Sequence, residues 1–74
     1  MTTERFLINQ GHVHHFIVKH DATGWDVCEE EDSTIIRQVH HNDWHRVERA
    51  VMLFDHAALV LERDGWVESV QQRA

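Results

Sequence analysis

Proline is missing altogether, and cysteine occurs once. Without proline, no position is forced to break a helix or to drop a ladder hydrogen bond from a strand. With Cys28 alone, an intrachain disulfide is excluded, and a single thiol suits a reducing compartment. Glycine is scarce: Gly11, Gly24 and Gly65 fall where elements should change direction, and no glycine-rich phosphate loop can be assembled from them. The only serines are Ser33 and Ser69, neither in a nucleophile-elbow setting. Cys28 adjoins Glu29 and Glu30, whose charge disfavours a thiolate. Long apolar runs are also lacking. The longest, Ala50–Phe54 and Ala57–Leu61, are far too short to span a membrane. Met1-Thr2-Thr3-Glu4-Arg5 has neither the basic region nor the apolar run of a signal peptide, so a soluble cytoplasmic chain without membrane contact is expected.

Basic residues are outnumbered. Lys and Arg total 7 against 13 Asp and Glu, a formal charge of −6 with histidine neutral. Direct nucleic-acid binding needs clustered cations and is not expected. A basic protein partner fits better. The 8 histidines could reverse the sign of the net charge in mildly acidic solution.

The 74 residues make one domain, with a core thin enough that a metal or a second chain is an expected source of added stability. Three strands are predicted, at about 12–20, 25–30 and 34–41. Val13, Phe16, Ile17 and Val18 give the first its β-branched and aromatic content. Asp21-Ala22-Thr23-Gly24 and Glu31-Asp32-Ser33 read as turns, which makes an antiparallel meander. In the third strand, alternation places Ile35 and Val39 on one face and Ile36, Gln38 and His40 on the other. Phe6-Leu7-Ile8 reads equally as a short fourth strand or as a tail leaning on the core.

A long helix is predicted over residues 43–64. Trp44, Val47, Val51, Phe54, Ala58 and Leu61 recur at spacings of three and four. Asn42 or Asp43 can cap its start, and Gly65 suits the left-handed position past its end, with Trp66 folding back towards Leu61. The tail, 66–74, is open between a helical turn and coil. The expected fold class is α+β: a three-stranded antiparallel meander, with or without the short N-terminal strand, packed against one long C-terminal helix.

The helix carries more apolar surface than one sheet requires. The core-facing stripe covers about 140° of the wheel. Leu53 and Val60 widen one flank, and Met52 and Leu59 lie among Glu48, Asp55 and Glu62. Pairs spaced by seven suggest a second contact surface, hence a homodimer.

Two further constellations carry chemistry. His12 and His14 share a strand face, and His41 and His45 bracket the helix start, so zinc or another transition metal is conceivable. The spacing matches no standard metal signature, and no cofactor is expected otherwise. Acid–base pairs such as His45 with Glu48, or His56 with Asp55, lie on the polar helix face, where a solvated surface is the simpler account. Glu29-Glu30-Glu31-Asp32 is the strongest charge feature. Such a hairpin could dock a basic protein surface or imitate nucleic-acid phosphates.

The order of three strands and a helix, with Gly24-Trp25 opening the second strand, resembles the integrase-type arm-binding domain, whose three-stranded sheet binds DNA. The resemblance is architectural and spans residues 12–64. Basic sheet residues are what that function requires, and here the middle strand is acidic, so DNA binding is not carried over. The reading that results is a small acidic non-enzymatic protein-interaction module, homodimeric, that docks a basic protein or inhibits a nucleic-acid-handling protein by charge mimicry. The alternatives are a small ligand- or metal-binding protein using its histidines, and a dimeric enzyme with an intersubunit site.

Overall fold

A computed structural model describes residues 2–69, so residues 70–74 of the predicted tail lie outside the described residues. The chain runs β1 (Thr2–Asn9), β2 (His12–Asp21), β3 (Gly24–Glu31), β4 (Thr34–His41), α1 (Trp44–Arg63) and β5 (Val67–Ser69). The strands form one antiparallel sheet in the order β4-β3-β2-β1-β5, so the class is α+β with five strands. The predicted central meander corresponds to β2, β3 and β4. The Phe6-Leu7-Ile8 run belongs to a full strand, and the start of the tail adds a short edge strand rather than a helical turn or coil.

The hairpin turns follow from their residues. Asp21 accepts hydrogen bonds from the Thr23 N–H (2.8 Å) and hydroxyl (2.7 Å), closing the β2–β3 turn. Gln10 and Gly11, and Asp32 and Ser33, have positive φ, as two-residue turns between right-twisted strands require. Between β3 and β4 the register shifts at Glu29/Glu30: Glu29 pairs with Arg37 and Glu30 with Ile35. Ile36 is the extra residue of a bulge. This overturns the predicted common face for Ile35 and Val39. Val39 sits opposite Val27 on the helix side, and Ile35 opposite Glu30 on the other.

Asp43 caps α1 through its side chain, which accepts from the His45 N–H at 3.0 Å. At the far end Gly65 takes φ +97, a conformation costly for any residue with a Cβ. The Trp66 N–H then bonds the Leu61 carbonyl (3.0 Å) and the Gly65 N–H bonds that of Glu62 (3.1 Å), the paired closure of a Schellman motif. That closure turns Trp66 back onto the core and launches β5 along β1.

One face of the sheet holds the core. Leu7, Phe16 and Val27 from β1, β2 and β3 meet Val47, Phe54 and Ala58 from α1, with Trp25, Val51, Leu61 and Trp66 packed around them. Each such large side chain contributes about 1.5–3 kcal/mol by leaving water. Arg5 clamps one margin by pairing with Asp55 of α1 (2.7 Å) and with Glu68 of β5. Among the described residues, no helix lies over the opposite face of the sheet.

Candidate functional site

Register joins the histidines to the acidic residues. His12 Nδ1 lies 2.8 Å from Asp32, His14 Nε2 2.7 Å from Glu29, and His40 Nδ1 2.7 Å from Asp26. On the open face, His15 stacks on Phe6 with ring centroids 3.9 Å apart and stands between Glu4 and Glu30, each at 3.7 Å. The Nε2 of His15 is buried without a hydrogen-bond partner. The acidic hairpin is therefore largely engaged within the fold. Glu29 and Glu31 turn to the helix side and Glu30 to the open side, so Glu29, Glu30, Glu31 and Asp32 do not form one continuous patch.

The four histidines singled out for metal binding are not gathered. His12 and His14 share a face but bond separate carboxylates, while His41 and His45 lie at the other end of the sheet. Among the described residues, no group of three or more His, Cys, Asp or Glu side chains converges as a metal would require. Cys28 is buried, and burial first, then Glu30, pushes its thiol pKa up, away from nucleophilic use.

The exposed pairs set a pH window. The hydrogen bond to Asp32 raises the His12 pKa above 6.5. His40 is raised by its bond to Asp26, then by the Thr23 carbonyl at 3.1 Å from its other nitrogen. Only imidazolium donates from both nitrogens, so the folded geometry favours the charged ring. These raised values contribute stability that is complete below pH 6.5 and lost as pH rises through the folded pKa values. Asp32, held down by His12, and Asp21, held down by Thr23, behave oppositely. Their contribution is present above pH 3.8 and lost as pH falls through their lowered values. Thermal melts should therefore peak between about pH 4 and pH 6.5, with Tm falling by a few degrees towards about pH 9. The His12→Gln/His40→Gln variant should flatten the alkaline limb. An alkaline limb of equal slope in that variant would assign the dependence to other groups.

A concavity lies between α1 and β4. It is a cleft of about 370 Å³ with Val27, Val39, Ala50, Leu53 and Phe54 as its apolar surface and Arg37, Arg46, Arg49 and His41 around it. Three of the chain's 7 basic residues thus meet in one place. Ion pairs among the described residues use Arg5 and histidines, and none uses these three arginines. The nearest acid in register is Glu29, opposite Arg37, and its carboxylate is bonded to His14.

The four helix residues predicted to exceed the needs of the sheet are exposed in the single chain: Met52 68 %, Leu53 58 %, Leu59 58 % and Val60 44 %. Leu53 lies in the cleft on the β4 side, and Val60 follows it by two turns on the same flank. Met52 and Leu59 lie on the other flank, towards the Asp55–Arg5 contact. The arginine cleft escaped sequence reasoning. Its one sequence signal was a pair of arginines, 46 and 49, opening a helix whose first turn has no acidic residue.

No family model, no curated protein and no solved structure matches this chain. Among the described residues, no helix is long and apolar enough to cross a membrane.

Proposed function

We propose that this chain is a non-enzymatic protein-interaction module that pairs with a second copy of itself through the β4 edge. The observation that carries this reading is the state of β4. It is an edge strand, exposed from Thr34 to His40, with Ile35, Ile36 and Val39 between 42 % and 54 % exposed. An edge presents unpaired N–H and C=O groups, and apolar side chains beside them make it a template for another strand.

A two-fold axis perpendicular to the sheet would set β4 antiparallel to its copy, continue the sheet, and bring both helices to the same side. Leu53 and Val60 would then turn towards the junction, which accounts for the widened helix flank. The arginines would face each other across it, so pairing should tighten as salt screens them.

Sedimentation of the wild type and of Ile35→Lys/Ile36→Lys tests the reading. The wild type should be a dimer at high micromolar concentration. The variant should be a monomer with an unchanged circular dichroism spectrum, since charges on an exposed edge oppose pairing without touching the core. A wild type that stays monomeric, or a variant that still dimerises, removes the proposal.

A further inference from the structure

From the cleft between α1 and β4 we infer a second property: it is a binding site for a small amphipathic oxyanion, a carboxylate or phosphate head on an apolar body. The inference needs no second copy, because every residue lining the cleft belongs to one chain; in a dimer paired at β4 the two clefts would face each other across the junction.

Folding alone gives no reason for the charge arrangement. Arg46 lies in the first turn of α1, where the helix dipole disfavours a cation. Arg49 follows three residues later on the same side, a like-charge spacing that is mildly destabilising. Arg37 reaches the same cleft from β4, with His41 beside it. In a chain of net charge −6, with 13 acidic residues available, none is paired with these three guanidinium groups among the described residues. Guanidinium groups that line one cleft and make no ion pair among the described residues complement a planar or tetrahedral oxyanion, which they can hold by paired N–H donors.

The remainder of the lining sets the ligand's body. Val27, Val39, Ala50, Leu53 and Phe54 offer aliphatic and aromatic surface, so a bare inorganic anion would leave that surface uncovered. A volume near 370 Å³ matches one small molecule. The head would lie among Arg37, Arg46 and Arg49, and the chain or ring of the ligand against Leu53, Phe54 and Val39. Bound this way, the ligand neutralises the arginine cluster and covers apolar surface that the short sheet leaves open.

Decanoate, kept below its micelle concentration, is the first probe, and decyl phosphate distinguishes a phosphate head from a carboxylate. Titration followed by amide NMR should saturate at one ligand per chain. Shifts should be confined to residues near 37–41 and 46–54. Decan-1-ol and decyltrimethylammonium, with the same chain but no anionic head, should bind about tenfold more weakly or worse. The Arg37→Gln/Arg46→Gln/Arg49→Gln variant should lose at least about tenfold in decanoate affinity. Its melting temperature should be no lower than that of the wild type, because the like-charge contacts are gone. Equal binding of decanol and decanoate would overturn the inference. So would undiminished binding by the triple variant, or shifts mapping outside the cleft. Binding of an acidic, apolar-alternating peptide with no binding of either decyl anion would also overturn it and assign the cleft to a protein partner. Dimerisation read by sedimentation stays a separate result, so failure at β4 and failure at the cleft are told apart.

Discussion

Gly24→Ala should cost the domain a large part of its stability. Gly24 opens β3 at φ +133, a conformation that residues with a Cβ rarely adopt. A Cβ built there would collide with the carbonyl oxygen of His41 and stand 3.1 Å from the Cα of Asn42. Those atoms belong to the end of β4 and the link into α1, and both are backbone, so no side chain can swing aside. Backbone strain of about 1–3 kcal/mol and overpacking of similar size combine to a loss of roughly 3–5 kcal/mol. A domain of this length holds only about 4–11 kcal/mol in total. The melting temperature should fall by roughly 15–30 °C. Gly11→Ala is the control. Its φ is +82 but no atom lies within 4 Å of the added Cβ, so it should lose only about 1 kcal/mol. Similar melting temperatures for the two variants would show that the chain does not pass so close to His41.

That close approach matters for more than stability. It seats the β4–α1 link against the start of β3, which fixes where Asp43 caps the helix and therefore where Arg46 and Arg49 leave it. A variant that folds with this corner loosened should keep its helix content and lose the alignment of the cleft.

How much of this was readable in the chain depended on the distance over which each feature is determined. The helix was legible because its determinants are local. Asp43, the three-and-four spacing from Trp44 to Leu61, and Gly65-Trp66 define both ends and the buried face with little help from elsewhere. The central strands were legible for the same reason. β1 was ambiguous because Phe6-Leu7-Ile8 is a short run, and its choice between strand and tail is made by β2 on one side and β5 on the other. β5 itself is three residues long and exists because the Schellman turn delivers Val67 to that edge. The bulge at Ile36 leaves no mark in an alternating pattern, so simple alternation places Ile35 and Val39 on one face where the structure places them on opposite faces.

The site divides along the same line. Exposure of Met52, Leu53, Leu59 and Val60 followed from helical periodicity alone. Pairing of His14 with Glu29 and of His40 with Asp26 required a register between strands, which composition does not specify. The cleft required more still. Arg37 and Arg46 come from different elements, and an acidic total charge conceals a local basic cluster. Net charge describes the far field of a protein, whereas binding depends on what converges within a few ångströms.

Phe54→Ala should be the most damaging change inside the core. Phe54 is 7 % exposed and its ring lies 4.7 Å from that of Phe16, centre to centre, tilted by 39°. Losing the ring should cost about 3–5 kcal/mol, from lost transfer free energy and from the cavity left behind. The cavity would not collapse readily. Ala58, one turn on in the same stripe, and Val47, two turns back, are fully buried and have no freedom to spread. Phe54 also lines both the arginine cleft and a smaller hollow with Arg5, Val18 and Val51, so its removal should enlarge both. Urea denaturation should show a lower midpoint with the slope preserved, since the change acts on the native state. Phe54→Leu keeps part of the volume and should lose only about 1–2 kcal/mol. A double-mutant cycle with Phe16→Leu should reveal coupling of about 0.5–1.5 kcal/mol, the range for a tilted aromatic pair beyond its buried area. If Phe54→Ala lost less than about 1 kcal/mol, the helix would not be held to the sheet through this ring. The cleft, whose wall is the same helix face, would then have to be redrawn.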